Sequence, residues 1–252
     1  MKNTNLIAIS GKAGSGKDTV AKIIQLITST TLTNEQIATH IEIDSLVSAP
    51  KYRIKKFAYP LKNTAGMLLN IPFRYFEDQE FKDSTLSDEW TKYTLHVLDN
   101  DKLVQSVPNY SSRQDAVMAG YFLKRDVYVD SVTFEIERVP VKARDLLVMV
   151  GDALRQNVHK NVFVNALFSS YVPATDYWII SDLRFKNEAE AVLERQGILL
   201  RIESSKKTGD HPSETELDDF TFDYVIQNTG SILHLVHKTR EFCYNLSIEE
   251  NL

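Results

Sequence analysis

Gly11-Lys12-Ala13-Gly14-Ser15-Gly16-Lys17-Asp18-Thr19 is the stretch on which the fold turns. Two glycines and a lysine stand at the G-x-x-x-x-G-K spacing, and Asp18 occupies the place where the full pattern has serine or threonine. Before it runs the apolar, β-prone Leu6-Ile7-Ala8-Ile9-Ser10; after it, Val20, Ala21, Ile23 and Ile24 recur at helical spacing. The order is therefore strand, glycine loop, helix. Glycine lets the backbone turn its N–H groups inward around an anion, and the N-terminus of the following helix adds partial positive charge at the same point. Lys17 is placed to reach the β and γ phosphates of a nucleotide.

Outward from the loop, Tyr52 to Ala58 reads as a strand and Pro60 as the opening of a helix through Ala65, Met67, Leu68 and Leu69. Between about 71 and 140 the pattern loosens. Phe73, Tyr75, Phe76, Phe81, Trp90 and Tyr93 are scattered among acids, with alternating runs at Tyr93 to Leu98 and Asp126 to Val139, which predicts an insertion with antiparallel strand. Helices are expected over Val141 to Val158 and Asn161 to Ser169. A buried strand follows at Tyr177 to Ile180, ending at Ser181-Asp182, then a helix over Phe185 to Gln196 and a strand over Gly197 to Ile202. A short strand, Tyr224 to Gln227, and a helix, Ile232 to Leu246, close the chain. Such alternation predicts an α/β fold with a mostly parallel sheet and helices on both faces. The expected organisation is one domain over 1–252 with an insertion at about 71–140 that forms a substrate-binding or lid region.

The composition narrows the function. With 29 Lys and Arg against 34 Asp and Glu, the net charge is −5 over 252 residues, so no nucleic-acid partner is expected. One cysteine, Cys243, excludes an intrachain disulfide and fits a reducing cytoplasm. No apolar run approaches the length of a signal-peptide core or a membrane span, so no membrane association is expected.

Several side chains are candidates for the chemistry. Asp18, beside phosphates, calls for a cation, and Asp182 at the C-terminal end of a parallel strand lies where open α/β sheets gather their ligands. Both are expected at magnesium, with the Thr19 hydroxyl as the alternative to Asp18. Arg184 is placed to meet a phosphate or to pair with Asp182. Glu188, four residues on, reads equally as an i to i+4 partner of Arg184 on a solvated face or as functional. Lys62 is expected in the first turn of the helix opened by Pro60, where cation and helix dipole both favour an anion. Arg144 and Arg155, 11 residues apart, fall on one face of a helix unless Gly151 and Asp152 interrupt it. Lys82 and Arg113 lie in the insertion. His211 is expected near the purine of a nucleotide, beside a capping box of Ser213 and Glu216.

Ser15-Gly16-Lys17-Asp18-Thr19 resembles the loop of bacteriophage deoxynucleoside monophosphate kinases. So do Phe57-Ala58-Tyr59-Pro60-Leu61-Lys62, the helix from Arg144 through Gly151-Asp152 to Arg155, Ile180-Ser181-Asp182-Leu183-Arg184-Phe185-Lys186-Asn187-Glu188 and Asp210-His211-Pro212-Ser213-Glu214. The resemblance implies a P-loop NTPase-type fold that transfers the γ-phosphoryl group of ATP to a deoxynucleoside monophosphate with Mg2+, in nucleotide biosynthesis for DNA replication. It implies catalytic roles for Lys17, Asp18, Arg144, Asp182 and Arg184. ATP would be held by Lys12, Ala13, Gly14, Ser15, Gly16, Lys17, Asp18, Thr19 and His211. The acceptor would be held by Lys62, Lys82, Arg144, Gly151, Asp152, Arg155 and Phe163; Lys82 stands where the family has arginine, and Phe163 where tryptophan is common. The expected partners are small-molecule nucleotides, with a homodimer left open, in the cytoplasm of an infected cell. The alternatives are a P-loop kinase of dephospho-coenzyme A or phosphomevalonate type, and a non-kinase nucleotide-dependent regulator.

Overall fold

The computed structural model describes residues 2–41, 47–127, 132–204 and 215–247, the stretch 121–127 as backbone only. Contacts divide the chain into two compact units, one formed by 1–61 with 155–252 and the other by 62–154.

The first unit is built on β1 (Leu6–Ser10), flanked in sequence by α1 (Lys17–Ile27) and α2 (Asn34–His40). With β2 (Arg53–Lys55), β6 (Trp178–Leu183), β7 (Ile198–Ser204) and β8 (Tyr224–Asn228) it forms a five-stranded sheet in the order β2-β6-β1-β7-β8. Every pairing is parallel. Alternation along β1 feeds both faces: Ile7 and Ile9 join Val20, Ile23 and Ile24 of α1 and Val236 and Phe242 of α9 (Ile232–Asn245). Leu6 and Ala8 face Val164 and Leu167 of α7 (Val162–Phe168) and Ala189 and Val192 of α8 (Lys186–Glu194). A strand covered on both faces reads as the continuous apolar run that the sequence shows.

In β2 the chain departs from the sequence expectation: only Arg53–Lys55 pair as strand, and α3 (Ala58–Leu69) begins before Pro60. The cause lies far along the chain. Asp182 on β6 accepts the N–H of Phe57 at 2.8 Å and that of Ala58 at 2.9 Å, which starts the helix two residues early. Lys62 is accordingly the fifth residue of α3 rather than a first-turn residue.

The second unit contains α4 (Gln79–Asp83) and an antiparallel sheet of β3 (Lys92–Asp99), β4 (Lys102–Tyr110) and β5 (Val132–Val139) in the order β4-β3-β5. Asn100 and Asp101, at φ 48° and 62°, turn β3 into β4 as a tight hairpin. Helix α5 (Arg113–Val127) lies on this sheet, with Gly120 at Leu95 and the Phe134 ring. The alternating run expected from Asp126 therefore starts later, because residues 126 and 127 finish α5. Neither β4 nor α5 was expected from sequence. The strand is largely exposed and carries Pro108, so it lacks the alternation that marks a half-buried strand. Helix α6 (Ala143–Asn157) runs unbroken through Gly151 and Asp152. Among the described residues, no helix is long and apolar enough to cross a membrane.

Candidate phosphate-binding loop and its surroundings

Gly11 leaves β1 at φ +151°, and a Cβ there would lie 2.5 Å from the Ile202 carbonyl oxygen and 2.6 Å from Ser15 Oγ. No side chain fits at that position. Gly14 and Gly16 have φ of +71° and +98°, the left-handed geometry that lets neighbouring amides converge on an anion. Within the curl Ser15 N–H donates to the Lys12 carbonyl at 3.1 Å, and Asn228 at the end of β8 donates Nδ2–H to the Ser15 carbonyl at 2.9 Å. Ser15 Oγ is buried with no hydrogen-bond partner among the described residues. A buried hydroxyl without a partner among the described residues, in a loop whose glycines take left-handed φ, fits a loop shaped for an anion's oxygens.

Lys17 opens α1 and is 8% exposed; its ammonium donates to the carbonyls of Gly11 and, at 2.8 Å, Lys12. A buried cation at the N-terminus of an 11-residue helix concentrates positive potential where the loop closes. Lys12 pairs at 3.6 Å with Asp218, which also bonds the buried Arg201, whose Nη1 donates to Ser10 Oγ at 3.2 Å. The loop is thus tied to β7 and β8 as well as to β1.

Asp18 accepts the Ser181 hydroxyl at 2.8 Å and meets Lys56 Nζ at 3.2 Å, both through Oδ1. Partial desolvation pushes its pKa up, but Lys56, the Ser181 hydrogen bond and Lys17 outweigh that and hold the carboxyl below its ordinary value. Lys56 and Ser181 were not singled out from sequence. Both become visible only when β2 and β6 are brought beside the loop. Asp182 is occupied differently from its neighbour: each of its oxygens takes one backbone N–H at the start of α3. Burial raises its pKa against those two bonds and the charges of Arg184 and Lys56.

Glu188 is 4% exposed, which corrects the reading of a solvated pair with the Arg184 side chain. Its Oε2 accepts the backbone N–H of Arg184 at 2.9 Å and of Phe185 at 3.1 Å, closing the first turn of α8 from the third helical position. Burial and the neighbouring Asp182 push its pKa up to about 8, against the two amides and Arg155. Because the folded protein favours the protonated form, this stability is complete below the ordinary carboxyl pKa and is lost as pH rises toward about 8. Glu188→Gln keeps an acceptor oxygen but cannot ionise. In urea titrations between about pH 5 and 8, wild type is expected to lose stability relative to the variant by up to about 1.4 kcal/mol per pH unit. A difference independent of pH would contradict the assignment.

Arg155 lies over the rings of Phe163 and Phe185, 4.8 Å from each centroid. Phe163 is itself buried, so the guanidinium covers the ring. In the second unit, Lys62 pairs with Glu77 at 2.7 Å and is 14% exposed, while Arg144 holds Asp83 Oδ1 through Nε at 3.1 Å and Nη2 at 2.8 Å. The Arg144 hydrogen bond keeps the Asp83 carboxyl below its ordinary pKa. Lys82 lies beside Asp83 on α4, and Gly151 and Asp152 lie on α6. His211 and the capping box at Ser213 lie outside the described residues.

A magnesium ion fits the donor set at the loop. Mg2+ is commonly held by one or two carboxylates together with the phosphates of a substrate, and Asp18, 65% exposed in its side chain, offers such a carboxylate.

The family described as deoxynucleotide monophosphate kinase matches this chain over residues 5–239. The deoxynucleoside-5'-monophosphate kinase of Escherichia phage T5 is 24% identical over 227 residues, which cover 83% of this chain and 84% of that protein.

Proposed function

The chain belongs to the deoxynucleotide monophosphate kinase family, and from that premise we propose how its own residues divide the transfer of the γ-phosphoryl group of ATP to a deoxynucleoside monophosphate. The ATP phosphates sit in the loop from Lys12 to Thr19. The observation that carries this assignment is the buried Lys17 ammonium within a curl whose Gly14 and Gly16 adopt left-handed φ. Lys17 and the loop amides meet the β and γ oxygens, and Asp18 holds Mg2+. When bound, the ion would supply neutralisation of the negative charge on the β and γ phosphates. Thr19, in the first turn of α1, offers a hydroxyl to a phosphate. Arg184 supplies a further cation beside Asp182.

On the acceptor side, Lys62, Lys82 and Arg144 hold the monophosphate with Gly151 and Asp152 of α6, and Arg155 does so with Phe163 at its back. A guanidinium packed on the rings of Phe163 and Phe185 is held in place, and its planar fork suits two phosphate oxygens at once. Lys62 and Arg144 already bind carboxylates, Glu77 and Asp83, through the same hydrogen-bonding geometry that a phosphate oxygen accepts. The acceptor phosphate is ionised at neutral pH, so the reaction demands position and charge rather than a general base. The segment at about 71–140 serves as the lid that excludes water. A phage-encoded relative supports work in the cytoplasm of an infected cell.

The division of labour is tested by substrate-saturation kinetics. Arg144→Met and Arg155→Met are expected to raise KM for the deoxynucleoside monophosphate by about tenfold or more, each by the loss of one charge-assisted contact, with KM for ATP within about twofold. Equal rises in both constants would overturn the assignment of these arginines to the acceptor.

A further inference from the structure

We infer that the acid and the hydroxyl which share a magnesium position in phosphate-loop enzymes have changed places in this chain: Asp18 on the loop is the ligand, and Ser181 on β6 is the positioning residue that aims it. The inference rests on the reading of the loop as the ATP site.

In the general arrangement the loop supplies a serine or threonine after its lysine, and the strand beside the loop strand supplies an aspartate. Here the residue after Lys17 is Asp18, and the strand beside β1 is β6. The contact between them is retained with its ends reversed, because Ser181 Oγ donates to Asp18 Oδ1 at 2.8 Å. Ser181 is 1% exposed, and a buried hydroxyl spent on one carboxylate oxygen fixes that carboxylate's orientation.

Two further observations support the exchange. Asp182, the acid that position on the strand would nominate, turns both oxygens to the amides of Phe57 and Ala58. The strand is also irregular at this point. Ala8 lies opposite Ile180 and Ser10 opposite Leu183, so Ser181 and Asp182 together face Ile9 alone. One extra residue in a strand re-aims the side chains around it. Thus one side chain reaches the loop and its neighbour reaches the start of α3. On Asp18 the Ser181 hydroxyl and the closest approach of Lys56 Nζ both fall on Oδ1, and the side chain is 65% exposed, open to a cation.

The test is calorimetric titration with ADP, in EDTA and in excess Mg2+, of wild type, Asp18→Asn, Asp18→Ser, Ser181→Ala, Asp182→Asn and the exchange variant Asp18→Ser/Ser181→Asp. Wild type is expected to bind ADP about tenfold or more tightly with Mg2+, a gain of about 1.4 kcal/mol. Asp18→Asn is expected to lose that gain while metal-free ADP binds at least as tightly as in wild type, since a charge repelling the phosphates has gone. Ser181→Ala is expected to reduce the gain by about threefold to fivefold, part of it rather than the whole, because the carboxylate remains and only the hydrogen bond that orients it is lost. The exchange variant is expected to recover a Mg2+-dependent gain that Asp18→Ser alone lacks. Retention of the full gain by Asp18→Asn would overturn the inference, as would its loss in a folded Asp182→Asn. So would no recovery in an exchange variant that melts cooperatively. If the exchange variant does not fold, the single variants decide. Wild type that binds no ADP under either condition would instead refute the ATP site itself.

Discussion

Replacing Lys17 by alanine is expected to lower kcat by about two to three orders of magnitude, the cost of removing one preorganised charge from a site of developing negative charge. The protein is expected to fold. Lys17 contributes its ammonium to the carbonyls of Gly11 and Lys12, and their loss leaves two acceptors at the rim of a loop already tied down by Asn228 and by β1. The expected loss of stability is about 1–3 kcal/mol, the worth of two hydrogen bonds from a charged donor offset by relief of the ammonium's burial. Initial rates of ADP release at saturating ATP and deoxynucleotide, with urea unfolding alongside, check both parts. Near-normal turnover in Lys17→Ala would refute the phosphate site. Inactivity with a collapsed unfolding midpoint would refute the claim that the lysine serves the chemistry rather than the fold.

Asp182→Ala is expected to produce the largest loss of stability, about 2–5 kcal/mol. Each of its oxygens satisfies one backbone amide at the start of α3, and an amide left without an acceptor in a largely buried setting costs about 1–3 kcal/mol. Asp182→Asn keeps one acceptor oxygen, so its loss should lie between those of wild type and alanine. The carboxyl's raised pKa opposes this only in part, because the same burial that disfavours its charge also removes water from the two amides. Equilibrium urea unfolding at constant pH gives the number directly. A midpoint unchanged in Asp182→Ala would show that α3 starts without it.

These two residues mark where the sequence was readable. Lys17 sits in a motif whose glycines, spacing and flanking strand and helix are all local, so the loop, α1 and the mostly parallel character of the sheet are legible in the sequence, though not its strand order. Asp182 was equally visible as an acid at a strand end. Its attachment to Phe57 and Ala58, more than 120 residues away, was not visible, and for that reason the start of α3 and the turn that carries Lys62 were misplaced. Glu188 shows the same limit from the other side. Its spacing from Arg184 suggested a pair in water, but α8 packs that face into the sheet, and the carboxylate turns to the backbone instead. Lys56 carried no local signal, since a lysine beside an aromatic is ordinary until β2 sets it against Asp18. In the second unit, β4 leaves little trace in the sequence because an exposed edge strand has no buried face to imprint on it.

The most direct measurement of the central claim is ATP-dependent ADP release by the purified protein with dAMP, dCMP, dGMP and dTMP, and with dephospho-coenzyme A and phosphomevalonate as competing acceptors. The expected result is release that requires at least one deoxynucleoside monophosphate and converts it stoichiometrically to the diphosphate. Release that proceeds without any acceptor, or only with dephospho-coenzyme A or phosphomevalonate, would contradict it.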